Sequence, residues 1–98
     1  MFVEIGALVH KDFGHKVLET LSEKKGVKSI SVETGRSGDL FDDKQFGEFG
    51  EAAIITVIAE SNEKDTVFDS MFSVCELQNE HSGLIYMTPD LIKIVGNN

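Results

Sequence analysis

The segment at residues 52–59, AAIITVIA, constrains the fold of this 98-residue chain more than any other. It is almost continuously apolar and rich in β-branched side chains, a pattern expected of a central strand covered on both faces. The other elements must therefore supply that cover. A chain of this length has room for one domain and one core, of modest stability unless neighbouring chains add buried area. Self-association is expected on that ground alone.

Residues 2–9 (FVEIGALV) read as a strand, with Val3, Ile5, Ala7 and Val9 on one face and Phe2, Glu4, Gly6 and Leu8 on the other. Asp12 is placed to cap a helix running to Lys25, and Gly26 to stop it. Phe13, Val17, Leu18 and Leu21 fall within an arc of about 140° on that helix and form its core stripe. Residues 27–34 (VKSISVET) alternate strictly, so one strand face is polar. Beyond the central segment, Ser61 or Asn62 would cap a second helix, with Asp65 in its first turn. Its stripe is Val67, Phe68, Met71, Phe72 and Cys75. Residues 79–83 (NEHSG) form a turn, and residues 84–87 and 91–95 are short strands separated by Thr88, Pro89 and Asp90.

That order predicts an α+β fold: a ferredoxin-like split βαβ sandwich (βαββαβ plus a short C-terminal strand), its antiparallel sheet carrying two helices on one face. The second face of a strand as apolar as AAIITVIA then needs cover from other copies in a small symmetric oligomer.

Between the second and third strands lies an insertion, residues 35–50, GRSGDLFDDKQFGEFG. Loops beyond about 12 to 15 residues without structure of their own are usually functional or disordered. Its four glycines and four acidic residues disfavour a core, while Phe41, Phe46 and Phe49 offer aromatic area that a partner surface would bury.

The formal charge of −8, from 17 acidic and 9 basic side chains, opposes binding to nucleic acid. No apolar run reaches the length of a membrane span, and residues 2–9 lack the features of a signal peptide, so a cytoplasmic protein without membrane insertion is expected. The one cysteine, Cys75, lies on a helix stripe and reads as a buried core thiol. His10, His15, His81, Asp39, Asp42 and Asp43 have no metal-motif spacing, and no nucleophile elbow, Walker loop or acid/base dyad is present. Neither a metal nor an enzymatic activity is expected. His10 and Asp12 read as turn and cap residues.

Two segments carry a family resemblance: GVKSISVETGRSG at residues 26–38 and HSGLIYMTPDLIKIV at residues 81–95. The chain resembles the P-II signal-transduction (GlnB-like) proteins and their P-II-like relatives. That resemblance implies a homotrimer with adenine nucleotide in its intersubunit clefts, and a regulatory role without required cofactor or catalysis. Residues 35–50 would then be the T-loop, contacting a target such as a membrane transporter or an enzyme. The same resemblance marks Gly35, Arg36, Ser37, Gly38, His81, Ser82, Gly83 and Lys93 as effector-binding candidates. Arg36 equally suits an ordinary solvated charge, and His81 and Ser82 equally suit turn residues. Where ATP-binding relatives carry a lysine-containing glycine turn, residues 78–84 here read QNEHSGL, with Glu80 and no lysine. Charge-assisted contacts are the stronger phosphate contacts, so AMP or ADP is favoured over ATP. Two other readings are a CutA-like trimer linked to divalent metals and an oligomeric adaptor with an empty cleft.

Overall fold

The computed structural model describes residues 1–36, 51–79 and 83–91. They form strand β1 (Phe2–His10), helix α1 (Asp12–Leu21), strands β2 (Val27–Arg36) and β3 (Glu51–Glu60), helix α2 (Lys64–Val74) and strand β4 (Gly83–Met87). The sheet order is β2-β3-β1-β4, with every pairing antiparallel. This is the ferredoxin-like α+β arrangement expected from the element order.

The register explains the core. Val3, Ile5, Ala7 and Val9 of β1 lie opposite Ala59, Val57, Ile55 and Ala53 of β3. All eight are buried, and they pack in one cluster with Val17 and Leu21 of α1 and Val67, Met71 and Cys75 of the α2 region. Both helices therefore cover the same face. On the other face, Ile54 and Ile58 are half-buried, while Leu84 and Tyr86 are 41% and 47% exposed. Among the described residues, the cover that AAIITVIA calls for is complete on one face only.

A cross-strand pair on that second face is locally complete. Tyr86 lies opposite Gly6, where an added Cβ would fall 2.2 Å from the tyrosine ring. The aromatic ring thus fills the space that glycine leaves in the sheet. Its hydroxyl donates to Glu4 Oε2 at 2.9 Å, and that bond raises the phenol pKa above its ordinary value.

Several boundaries differ from the sequence reading. Asp12 does not cap α1: it lies in the first turn, and the cap position is Lys11, in helical conformation and without a side-chain capping bond. Helix α1 also ends at Leu21 rather than Lys25, because the following SEKK has no apolar side chain to bury. Gly26, at φ +89°, instead turns the chain into β2. The helix seam is narrower than expected. Gly14, Val17 and Leu21 are its buried residues, whereas Leu18 is 39% exposed.

Neither Ser61 nor Asn62 caps α2. Residues Ser61–Glu63 form a 3-10 turn, and the Ser61 hydroxyl donates to Asp90 Oδ1 at 2.6 Å. Asp65 does occupy the first turn of α2 as expected, and Phe72 lies at the rim of its stripe, 36% exposed. At the far end, Leu77 N–H donates to Phe72 O and Glu76 N–H to Ser73 O, each at 3.1 Å, with Glu76 at φ +53°. That is a Schellman closure with a non-glycine residue in the left-handed position. Strand β2 runs two residues further than expected, taking Gly35 and Arg36 into the ladder. After β4, Thr88 N–H donates to Glu4 O and Leu91 N–H to Phe2 O, so the chain resumes pairing with β1 past Pro89. Of the expected strand at 91–95, only Leu91 is among the described residues.

Two substitutions test this packing. A Cβ at Gly14 would fall 2.8 Å from Val32 Cγ1, so G14V is expected to destabilise by about 1–3 kcal/mol in urea unfolding. E76G relieves the left-handed conformation and is expected to stabilise by roughly 0.5–1 kcal/mol in the same assay.

Candidate functional site

The sequence candidates that the structure describes gather at one end of the sheet. Arg36 pairs with Glu51 and Gly35 with Ala52 across β2 and β3. Ala52 pairs in turn with His10 across β3 and β1, and Val9 with Gly83 across β1 and β4. All four strands thus begin or end there. Gly35 and Gly83 nevertheless sit on the two opposite edge strands, three strand spacings or about 14 Å apart. One chain brings them to the same end without bringing them into contact.

Ser37, Gly38, Phe41, Phe46, Phe49, His81, Ser82 and Lys93 lie outside the described residues. Leu91, the last described residue, pairs with Phe2 at the opposite end of β1 from His10.

Gly83 has a structural reason to be glycine. Its φ is +140°, and an added Cβ would meet the Leu8 carbonyl oxygen at 2.3 Å and Val9 Cγ1 at 2.9 Å. A side chain there would collide with backbone, so the start of β4 depends on this residue whether or not a ligand approaches it. Gly35, by contrast, has ordinary strand pairing.

His10, read from sequence with Asp12 as turn and cap residues and not as a site residue, also stands at this end. Its side chain is 45% exposed, and Nδ1 accepts the Asp12 N–H at 3.2 Å, with Asp12 Oδ2 3.4 Å from the same nitrogen. This ring, and not the Asp12 carboxylate, satisfies the first free amide of α1. The only sequence signal was a histidine ending the first strand two residues before an aspartate. Ala52 and Leu8 beside it are buried, with Ile54 packed against them, giving an apolar floor on the face away from the helices.

Other features carry less chemistry. Thr20, Thr66, Asp69, Ser70, Ser73 and Val74 line a shallow groove between the helices, which contains none of the sequence candidates. Cys75 is buried, and burial pushes its thiol up to about 11, as suits a core residue rather than a nucleophile. Among the described residues, no three His, Cys, Asp or Glu side chains form a metal-holding group. No helix among them is long and apolar enough to cross a membrane.

No protein-family model matches the sequence, and no curated protein matches it. Solved structures do match the fold. A DUF3240 family protein from Shewanella baltica superposes with a TM-score of 0.70 over 99% of this chain and 97% of its own, at 11% identity. The PII protein of Arabidopsis thaliana, solved with bound citrate, superposes with a TM-score of 0.66 at 17% identity. That match covers 91% of this chain and 74% of the PII chain. The fold is thus the one found in a PII protein.

G83A separates the structural from the binding role of Gly83. The clash and the unfavourable φ are each worth about 1–3 kcal/mol, so a loss of roughly 2–6 kcal/mol is expected in unfolding without any ligand present. A G83A protein of unchanged stability would refute the packing role.

Proposed function

We propose that this chain is a P-II-like regulatory protein, not an enzyme, that binds a small anionic effector between subunits and signals through residues 35–50. The observation that carries this reading is the register at the loop end of the sheet. Gly35 and Arg36 end one edge strand, Gly83 begins the other, and the connection at 37–50 departs from the same end. In a ring of copies with β2 of one beside β4 of the next, Gly35 of the first meets Gly83 of its neighbour. The cleft forms between subunits, where Lys93 of another copy is a further candidate.

The half-covered sheet supports the same assembly. Ile54, Ile58, Leu84 and Tyr86 present apolar surface away from the helices, and a homotrimer would bury it. The fold shared with a PII protein, solved with citrate, agrees with a small anion as effector. Glu80 and the lack of lysine in QNEHSGL favour AMP or ADP over ATP. Effector binding would select one conformation of residues 35–50, with Phe41, Phe46 and Phe49 supplying contact area to a target protein.

Light scattering at micromolar concentration should give close to three times the chain mass of 10.8 kDa. Titration with AMP at millimolar concentration should move the amide signals of Gly35 and Gly83 together. A monomeric mass defeats the assembly, and unmoved amides defeat the nucleotide reading. Deleting residues 39–48 should abolish target binding while leaving the effector response.

A further inference from the structure

Residues 78–84, QNEHSGL, include no lysine, and His10 stands at the end of the sheet where β4 begins. It lies in the row Gly35–Ala52–His10, in which its two neighbours present a hydrogen and a methyl group. It is also one strand, about 5 Å, from the start of β4. His10 is therefore the one residue of this row whose side chain can both donate a hydrogen bond and carry positive charge.

The ring orientation is fixed by its own turn. While neutral, Nδ1 accepts the Asp12 N–H at 3.2 Å, so the ring proton resides on Nε2. That leaves Nε2–H, on the far side of the ring, as a donor, with Asp12 Oδ2 3.4 Å from Nδ1. Asp12 on its own turn is the charged group placed against the ring. The described start of β4, Gly83 and Leu84, adds none.

We propose that His10 is the anion-contacting residue of the effector cleft: Nε2–H donates to an oxygen of a phosphate monoester or carboxylate. This rests on the effector reading above and assigns it a residue that neither sequence segment of the resemblance contains.

The test follows the imidazole and amide signals of the full chain by NMR during titration with AMP, citrate and sulfate. H10Q, which retains a hydrogen-bond donor, should hold affinity for all three anions within about threefold of the unaltered chain. H10F should lose about tenfold in affinity for AMP and sulfate at pH 6. His15, exposed and paired with Glu19 on α1, serves as the internal control whose ring signals stay still. A His10 ring unmoved while the Gly35 and Gly83 amides shift overturns the proposal and leaves the effector reading standing. If neither amide responds to any of the three anions, both fall. The relative response to AMP and citrate identifies the anion source.

Discussion

Everything else in this structure hangs on the pairing of β1 with β3. Eight small or branched apolar side chains meet across that ladder on one face, from Val3 opposite Ala59 to Val9 opposite Ala53. Each of the larger ones contributes roughly 1.5–3 kcal/mol through burial. A slip of one residue would turn Glu4 and Thr56 toward the helices and the core residues toward the open face, so the register is strongly fixed. The helices then have one surface to pack on. Gly14 lets α1 approach it to within contact of Val32 and Ala53.

The same register sets what the other face can be. Glu4, Gly6 and Leu8 of β1 share it with Ile54 and Ile58 of β3 and Leu84 and Tyr86 of β4, a mixture more apolar than a solvated sheet requires. Tyr86 fills the space above Gly6 and bonds Glu4, so that carboxylate is already hydrogen-bonded, while Glu33 of β2, opposite Ile54, stands exposed toward the edge. A carboxylate satisfied internally can be buried against another copy at less cost than a bare charge. The proposed assembly depends on that pair.

The proposed effector site lies where the ladder ends. Antiparallel strands in the order β2-β3-β1-β4 place the end of β2 and the start of β4 at one end but on opposite edges, so the proposed cleft would draw on two copies. Between them His10 turns out of β1, held by the first amide of α1. Glycine there has two meanings. Gly83 is required by its φ and by the Leu8 carbonyl, so its presence alone says little about a ligand, whereas Gly35 pairs with Ala52 in the ordinary ladder.

The sequence by itself determined the element order, the split βαβ topology and most of the core, because period-two and period-3.6 apolar patterns report directly which face is buried. Val3, Ile5, Ala7 and Val9 were legible as one strand face, as were Val17, Leu21, Val67, Met71 and Cys75 as helix seams. Element ends were less legible. Asp12 and Ser61 have cap chemistry, but His10, two residues away, took the first role, and Asp90, 29 residues away and invisible in local sequence, drew the second side chain off. Only the tertiary structure decided that Gly35 and Gly83 stand on opposite edges, that Tyr86 covers Gly6, and that His10 belongs to the loop end of the sheet. Those relations depend on register and strand order between residues distant along the chain, which no local pattern encodes.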